Sequence, residues 1–448
     1  MFKKVLIANR GEIAVRILRA CRDLGIKTVA VYSEADREAL HVQLADEAVC
    51  IGPPHSGNSY LNVNNVISAA RVTGADAIHP GYGFLSENPY FAELCKGAGL
   101  IFIGPSPEVM RLMGSKAKAR ETMQAAGVPV VPGSPGVLND PEEALQFAGQ
   151  VGYPVIVKAS AGGGGRGMRV AQNDADLLQA LQLAQNEAAA AFGDNKVYLE
   201  KYLEEHRHIE VQIAADQQGN IIHLGERDCS LQRRHQKILE EATDYGLDPE
   251  TRVKLGETAV MAAKAVGYHN LGTVEFLVDR QNNFYFMEMN TRLQVEHPVT
   301  EMVTGIDLVK AQLTIAAGYP LSFSQEDVMV RGWAIECRIN AEDPQKGFRP
   351  SPGQVTEFLP PGGFGVRFDT ALYPGYVIPP YYDSLIGKLV VWGENRPEAI
   401  ARMRRALSEL VIRGVETTVP FHLTVLDNAF YRKGEVYTNF VQRRILKG

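Results

Sequence analysis

The first 32 residues combine two apolar runs with an amphipathic segment between them. The runs at 4–8 and 28–32 predict β-strands, and the segment from a polar turn at 9–11 to about Leu24 predicts a helix. A strand–helix–strand unit joins neighbouring parallel strands of one sheet. The chain is therefore predicted to begin with an α/β unit built on a parallel sheet.

Two further apolar runs, at 77–78 and 100–103, are separated by helical patterns and extend this sheet to about Gly104. The first strand–helix turn contains one glycine, Gly11, whereas a dinucleotide-binding turn requires three spaced glycines. We therefore predict that this sheet is a scaffold without a dinucleotide cofactor.

Composition excludes several classes of function. The length of 448 residues predicts two to four domains, and 45% hydrophobic and 22% charged residues are typical of a globular protein. Because 46 basic and 52 acidic residues give a net charge of −6, generic nucleic-acid binding is not expected. No apolar run reaches the length of a membrane helix, no targeting segment precedes residue 4, and the five cysteines include no pair separated by two residues. These features predict a cytoplasmic protein without membrane insertion.

The remaining segments alternate between helical, glycine-rich and strand-rich patterns. A helical segment is predicted near 107–126, and a hinge rich in proline and glycine follows at 128–136. Longer strands begin near Arg207, and strand patterns at 272–278 and 284–289 predict a hairpin. The last part of the chain has strand patterns at 333–339, 353–359 and 386–392 and helices at about 396–410 and 419–428.

A predicted strand that ends at Lys158 is followed by five glycines within residues 162–167. Glycine lets backbone N–H groups approach phosphate oxygens closely, and the lysine adds a positive charge. The lysine precedes the glycines, so this is not a Walker A loop. A surface turn is the alternative, but a phosphate clamp explains the glycines better.

Two glutamates face each other in the predicted hairpin. If the hairpin closes on a two-residue turn at Gln281 and Asn282, its register pairs Glu275 with Glu288. Like charges at that spacing destabilise a sheet unless a cation lies between them, and oxygen ligands favour Mg²⁺ or Mn²⁺. A longer turn would instead place the two side chains on opposite faces of an exposed hairpin.

Polar residues are concentrated directly after this hairpin, at 288–298. There Arg292 can bind an oxyanion and Glu296 can accept a proton. A second cluster, at 226–237, is basic in an acidic chain, but such clusters are usually solvated surface. Cys229 inside it is predicted to be a small buried residue, because no partner base is evident.

Several motifs together resemble one known family, biotin carboxylase, the ATP-grasp subunit of bacterial-type acetyl-CoA carboxylase. The resemblance runs over essentially the whole chain. It is carried by residues 7–14, 79–88, 162–167, 226–237, 288–298 and 380–384.

The resemblance implies an α/β and α+β multidomain protein with an ATP-grasp fold. Its parts would be an N-terminal Rossmann-like parallel-sheet domain at 1–113, an ATP-grasp domain at 114–330 with a glycine-rich lid at 131–203, and a C-terminal α+β domain at 331–448.

The resemblance also implies the site residues. The ATP-binding set is Lys116, Lys158, Gly163, Gly164, Gly165, Glu200, Lys201, Leu203, His208, Gln232, His235, Glu275 and Glu288. Two Mg²⁺ or Mn²⁺ ions would bind Glu275, Glu288 and Asn290. Bicarbonate would bind Lys237, Arg292, Gln294, Val295 and Arg338. Glu296 would be the general base, Arg338 would stabilise the biotin enolate, and Tyr82 and Asp383 would lie on the biotin side.

The implied reaction is ATP-dependent carboxylation of biotin with bicarbonate through carboxyphosphate, the first half-reaction of acetyl-CoA carboxylase in fatty-acid synthesis. The chain has no Met-Lys-Met sequence for biotin attachment and ends at Gly448. We therefore expect biotin to arrive on a separate carrier protein, with separate carboxyltransferase subunits and a homodimeric state implied by the family. Two-subunit pyruvate carboxylases, another ATP-grasp ligase that forms carbamoyl phosphate or joins a carboxylate to an amine, and a non-catalytic nucleotide-binding regulator stay as alternatives.

Overall fold

The computed structural model describes residues 1–134, 136–138, 140–159, 168–193 and 195–446. Residues 163–165, predicted to contact ATP, lie outside this part of the chain.

The N-terminal segment forms the predicted parallel sheet, with strand order β3–β2–β1–β4–β5. Its apolar strand residues lie between helices on both faces of the sheet. One strand, β3, was not predicted, because it lies at the sheet edge and Ile51 is its only buried residue. The elements are β1 Lys4–Ile7, α1 Gly11–Asp23, β2 Lys27–Ser33, α2 Leu40–Leu44, β3 Glu47–Gly52, α3 Val63–Thr73, β4 Ala77–His79, α4 Pro89–Gly97 and β5 Ile101–Phe102.

Two helices replace the single helical segment expected near 107–126. Helix α5 spans Pro107–Gly114 and α6 spans Lys116–Ala125. Ser115 between them has an extended backbone, with φ −95° and ψ 104°, so it ends one helix and begins the next. This break makes Lys116 the first residue of α6.

A small antiparallel sheet with the order β7–β6–β8 follows the hinge segment. Its helices cover one face with small and apolar side chains, including Ala144, Ala184 and Leu177. The elements are α7 Pro141–Val151, β6 Val155–Ala159, β7 Met168–Ala171, α8 Asp174–Phe192 and β8 Val197–Lys201.

The central sheet is antiparallel and has the order β13–β12–β9–β10–β11–β14–β21–β19. Every residue of β9 is buried, because this strand lies inside the sheet and α9 packs on it. The first elements of this region are β9 Arg207–Ala215, β10 Ile221–Arg233, β11 Gln236–Ala242, α9 Pro249–Ala265, β12 Asn270–Val278, β13 Phe284–Asn290, α10 His297–Thr304 and α11 Leu308–Ala316.

The central sheet continues across residue 330, where a domain boundary was expected, because β14, β21 and β19 extend it. The single strand predicted at 353–359 is two short strands, which pair with β20 and β22 respectively. The remaining elements are β14 Trp333–Asn340, β15 Glu342–Asp343, β16 Arg349–Pro350, β17 Gly353–Gln354, β18 Glu357–Leu359, β19 Val366–Thr370, β20 Val377–Ile378, β21 Leu385–Gly393, α12 Arg396–Glu409, β22 Val411–Arg413, α13 Val419–Asp427 and α14 Ala429–Arg432.

Within the described ranges, no helix combines the length and the apolar character needed to cross a membrane.

Candidate active site

A cavity of about 940 Å³ lies where the three sheets and the last part of the chain meet. Tyr82 of the N-terminal unit, Lys158 of the small sheet and Lys237, Glu275 and Arg338 of the central sheet all line it. Residues from distant parts of the sequence therefore share one cavity.

Lys237, near the start of β11, lies at the centre of the charged groups. Its Nζ donates to Glu210 Oε2 at 2.6 Å, Glu275 Oε1 at 2.8 Å and Glu296 Oε1 at 2.7 Å. Burial alone would lower the pKa of Lys237, but the surrounding acidic groups outweigh burial and raise this pKa well above its usual value. Lys237 is therefore a permanent ammonium group.

Glu296 is fully buried immediately before α10. Burial raises its pKa, but Lys237, Arg338 and Arg227 act in the opposite direction and hold the pKa well below the usual value. Arg338 Nη2 donates to Glu296 Oε2 at 2.9 Å. At neutral pH the side chain is thus a carboxylate, the form that can accept a proton.

Arg338 and Arg292 approach the same region from different elements. Arg338, on β14, donates from Nε to Glu240 Oε1 at 2.5 Å. Arg292, in the loop after β13, donates from Nη1 to Gln294 Oε1 at 2.8 Å and from Nη2 to Asn290 Oδ1 at 3.2 Å. Both guanidinium groups line the cavity, where their N–H groups can bind a small oxyanion.

The predicted pairing of Glu275 with Glu288 is confirmed. The predicted two-residue turn is wrong, because Asp279 N donates to Asn283 O and leaves three residues in the connection. A register shift between Glu275 and Phe276 leaves Met287 unpaired and offsets the longer turn. The longer turn and the register shift change the pairing by one residue in opposite directions, so the two glutamates are paired.

Glu275 also contacts three neighbouring side chains. Asn290 Nδ2 donates to Glu275 Oε1 at 2.9 Å, Gln294 Nε2 donates to the same oxygen at 3.2 Å, and His208 Nε2 lies 2.8 Å from Oε2. Burial raises the pKa of Glu275, but Lys237 and His208 outweigh burial and hold it far below the usual value. The oxygens of this set fit a hard divalent cation, and within the described residues His208, Glu210 and Glu275 form one cluster of potential ligands.

The opposite wall of the cavity carries the residues predicted to bind nucleotide. Lys158 on β6 hydrogen-bonds Glu200 on β8, and Arg120 on α6 lies 3.3 Å from the other Glu200 oxygen. Lys116 Nζ lies 3.6 Å from Glu288 Oε2. The two lysines are thus held by carboxylates at the cavity wall.

Three more predicted nucleotide residues, His208, Gln232 and His235, line the cavity, and Gln232 Nε2 lies 3.0 Å from His208 Nδ1. Among the described residues, Lys201 and Leu203 are not part of the lining. Instead, Lys201 Nζ donates to the carbonyls of Gly152 and Tyr153, each at 2.9 Å.

Tyr82, Val295 and Asp383 also line the cavity. The Tyr82 hydroxyl donates to Glu12 Oε1, and Asp383 Oδ1 accepts from Leu385 N at 3.1 Å. These residues bring the N-terminal unit and the last part of the chain to the same cavity.

The comparisons with known proteins identify this arrangement. Residues 1–110 match the model "Biotin carboxylase, N-terminal domain", residues 115–324 match "Carbamoyl-phosphate synthase L chain, ATP binding domain", and residues 336–443 match "Biotin carboxylase C-terminal domain". Biotin carboxylase 1 of Bacillus subtilis is 62% identical over 99% of this chain and 98% of its own length. The chain belongs to the biotin carboxylase family. It is therefore a ligase that uses ATP and bicarbonate.

Solved structures of biotin carboxylases agree in fold. The biotin carboxylase–β,γ-ATP complex from Campylobacter jejuni has a TM-score of 0.95 and 54% identity and covers 99% of both chains. The biotin carboxylase domain dimer of the Hydrogenobacter thermophilus 2-oxoglutarate carboxylase, in complex with MgADP, ADP and bicarbonate, has a TM-score of 0.93 and 53% identity, with coverage of 99% and 97%. The predicted ATP-grasp fold with an N-terminal parallel-sheet domain is confirmed.

Sequence reasoning missed several charged residues that surround the biotin carboxylase site. Glu210, Arg227 and Glu240 are fully buried and contact Lys237, Glu210 and Arg338 respectively. For Glu210 the signal in the sequence is a charged residue between Ile209 and Val211, because a charge among apolar strand residues needs a partner, whereas Arg227 and Glu240 lie beside other charged residues and give no such signal.

Proposed function

We propose that the chain carboxylates biotin on a separate carrier protein, with ATP and bicarbonate as co-substrates, in the first half-reaction of acetyl-CoA carboxylase. The observation that carries this proposal is the buried Glu296 carboxylate held between Lys237 and Arg338. Relatives named biotin carboxylase, 56–62% identical, support it.

ATP would bind between the small sheet and the central sheet. Lys116 and Lys158 would hold phosphate oxygens, and Gly163, Gly164 and Gly165 would supply backbone N–H groups. Because Lys158 is paired with Glu200, the nucleotide would replace that carboxylate as its partner. Glu200, His208, Gln232 and His235, which line the cavity, would complete the nucleotide pocket. Lys201 and Leu203, expected to contact adenine, lie outside that lining among the described residues.

Glu275, Glu288 and Asn290 would hold Mg²⁺ or Mn²⁺. The donor set fits, since two paired carboxylates and an amide oxygen are hard ligands. The ion would neutralise charge on the phosphate oxygens. The MgADP complex of the Hydrogenobacter thermophilus relative supports Mg²⁺, and binding of two ions is part of our proposal.

Bicarbonate would lie among Lys237, Arg292, Gln294, Val295 and Arg338. Glu296 would take its proton, and the resulting oxyanion would attack the γ-phosphorus of ATP, with ADP as the leaving group. The products of this step are carboxyphosphate and ADP. Positioning and charge neutralisation by the lysines and arginines would supply most of the rate acceleration.

Carboxyphosphate would then break into CO₂ and phosphate inside the site. The phosphate would take the N1 proton of biotin, and the resulting nitrogen nucleophile would attack CO₂ to give carboxybiotin. Arg338 would stabilise the negative charge on the ureido oxygen of biotin, while Tyr82 and Asp383 would contact biotin from the cavity rim.

The proposal includes the working assembly. Biotin would arrive on a biotin carboxyl carrier protein in the cytoplasm, carboxyltransferase subunits would use the product for fatty-acid synthesis, and the chain would form a homodimer. The dimer in the Hydrogenobacter thermophilus structure supports the last point. The division into domains 1–113, 114–330 with lid 131–203, and 331–448 is supported by the separate matches to 1–110, 115–324 and 336–443.

The test is ADP release with ATP, Mg²⁺ and bicarbonate, with and without free biotin. We expect bicarbonate-dependent release that biotin stimulates, and Glu296→Gln and Arg338→Gln should each lower it at least about 100-fold. The exposed Glu357→Gln is the matched control. Bicarbonate-dependent ADP release that biotin does not stimulate would favour another ATP-grasp ligase. Nucleotide binding without any turnover would favour a regulator.

A second candidate is the same half-reaction in a two-subunit pyruvate carboxylase. It is favoured by the 55% identity to a pyruvate carboxylase subunit of Methanothermobacter thermautotrophicus, which covers 98% of this chain and 90% of that protein. Reconstitution with the carrier and transferase subunits of the same cell, followed by offering acetyl-CoA or pyruvate, separates the two.

A further inference from the structure

One carboxylate of the N-terminal unit reaches the loop that follows β13. Glu87 lies just before α4, whose first turn is capped by Asn88. Its Oε2 accepts a hydrogen bond from Arg292 Nε at 2.8 Å. Its Oε1 accepts from Thr291 N at 3.0 Å and from Thr291 Oγ1 at 3.3 Å. A single carboxylate thus binds both the backbone of this loop and its arginine.

The remaining nitrogens of Arg292 point to other partners. Nη1 donates to Gln294 Oε1 and, at 3.2 Å, to the carbonyl of Leu293, and Nη2 donates to Asn290 Oδ1. Asn290 and Gln294 are the residues proposed above for metal and bicarbonate. Among the described side chains that contact the guanidinium of Arg292, Glu87 alone has no proposed role in binding metal or bicarbonate.

Binding of substrate would leave this contact in place. Bicarbonate needs the Nη edge of the guanidinium, because a planar oxyanion accepts two parallel hydrogen bonds from it. Glu87 occupies the Nε position, and bicarbonate would replace the neutral oxygens of Gln294, Leu293 and Asn290 that accept from the Nη groups. The contact also joins the N-terminal unit to the loop that carries Arg292.

We propose that Glu87 is a positioning residue that orients Arg292 for bicarbonate and couples the placement of the N-terminal unit to bicarbonate binding. This inference rests on the proposed function, specifically on the role of Arg292 in binding bicarbonate. Glu87 itself touches no reacting atom.

The exposure of the pair separates this role from a purely structural one. The side chains of Glu87 and Arg292 are 40% and 20% exposed. Ion pairs with this exposure contribute little to stability, because water screens both charges. Loss of Glu87 should therefore weaken bicarbonate binding, and its cost to the fold should come from the Thr291 donors that lose their acceptor and not from the ion pair.

The experiment compares Glu87→Ala, Glu87→Gln and the control Glu93→Gln in the full-length chain. Glu93 belongs to the same unit and pairs with Arg111 at the surface. We expect Glu87→Ala to raise the KM for bicarbonate at least about tenfold. The KM for ATP should change less than about twofold and Tm by less than about 4 °C. Glu87→Gln, which keeps one acceptor oxygen, should restore part of the bicarbonate affinity, and Glu93→Gln should match the original chain.

Two results would overturn the inference. An unchanged KM for bicarbonate in Glu87→Ala would show that Arg292 does not need this contact. Equal losses in ATP affinity, bicarbonate affinity and Tm would show that Glu87 only supports the fold. If the original chain releases ADP without any dependence on bicarbonate, the proposed function itself fails, which is a distinct outcome.

Discussion

At the scale of single residues, two buried carboxyl groups lie behind Arg338. Glu240 on β11 and Glu336 on β14 are paired across the sheet, and both are fully buried. Neither oxygen of Glu336 has a hydrogen-bond partner within the described residues. Burial raises the pKa of Glu240 to about 7 and raises the pKa of Glu336 well above its usual value. We conclude that Glu240 serves Arg338 as an acceptor and that Glu336 carries a proton.

Glu336→Gln should therefore remove a pH dependence of stability. A carboxyl group with a raised folded-state pKa stabilises the fold below its unfolded pKa, and this contribution is lost as the pH rises towards the folded-state value. We expect the difference in free energy of unfolding, variant minus original chain, to increase by up to about 1.4 kcal/mol per pH unit above the usual carboxyl pKa. Denaturant unfolding at pH 5, 6 and 7 measures this gain. A difference that stays constant with pH, as expected for Glu357→Gln, would contradict the assignment.

Glu288 should set the metal requirement. It is paired with Glu275 but is far less buried, with a side chain 33% exposed, so its carboxylate is open to a cation. We expect Glu288→Gln to raise the Mg²⁺ concentration for half-maximal ADP release at least about tenfold, and removal of Mg²⁺ by EDTA to abolish release in both proteins. Glu121→Gln, on the exposed face of α6, is the control. An unaltered Mg²⁺ titration would exclude Glu288 as a ligand.

At the scale of elements, a buried arginine connects strands and a helix. Arg227 on β10 donates to Glu210 at 2.5 Å and Gln212 at 2.8 Å on β9, to Thr273 at 3.1 Å on β12 and to Thr300 at 2.9 Å on α10. These contacts hold the strand that carries Glu210 against the helix that begins after Glu296. The arrangement holds Glu210 in place as an acceptor for Lys237.

Arg227→Met should destabilise the chain strongly, because it leaves the buried Glu210 charge with fewer partners. We expect a loss of about 3–5 kcal/mol in the free energy of unfolding. Arg413→Met, which removes an exposed ion pair to Glu357, should cost at most about 1 kcal/mol. Urea unfolding of both variants tests the contrast, and similar losses would mean that burial of Arg227 is not decisive.

At the scale of the whole molecule, a lysine of the last part of the chain reaches the N-terminal unit and the anion site together. Lys388 on β21 is fully buried, its Nζ donates to the carbonyl of Val295 at 2.9 Å, and Nζ lies 3.3 Å from Glu12 Oε1. Nζ also lies 5.7 Å from the ring of Tyr82. One side chain therefore connects the three regions around the cavity.

Lys388→Met should raise the KM for bicarbonate several-fold, since the Val295 carbonyl loses its donor, while the Kd for ATP stays within about twofold. The free energy of unfolding should fall by about 1–3 kcal/mol. Lys346→Met, at an exposed position, should change neither quantity. Steady-state kinetics and denaturant unfolding measure both effects, and a selective loss of ATP affinity would contradict this interpretation.

The amino-acid sequence by itself determined several features of the fold and the family of this protein. The strand–helix–strand start and the strand that ends near Lys158 depend on neighbours close in sequence, so periodicity predicted them. The pairing of Glu275 with Glu288 was predicted from a two-residue turn, and the structure reaches it instead through a longer turn and a bulge. The motif order predicted the family, which the comparisons confirm.

Only the tertiary structure decided the rest. The carboxylate partners of Arg292, Arg338 and Lys388, which are Glu87, Glu240 and Glu12, lie tens to hundreds of residues away along the chain. The central sheet continues past residue 330, because β14 pairs with β11. Burial in that sheet sets the charge states of Glu296 and Glu336, since the pKa of a carboxyl group depends on the water removed and the charges nearby. No pattern in the sequence contains those distances, and they arise when the three regions pack around one cavity.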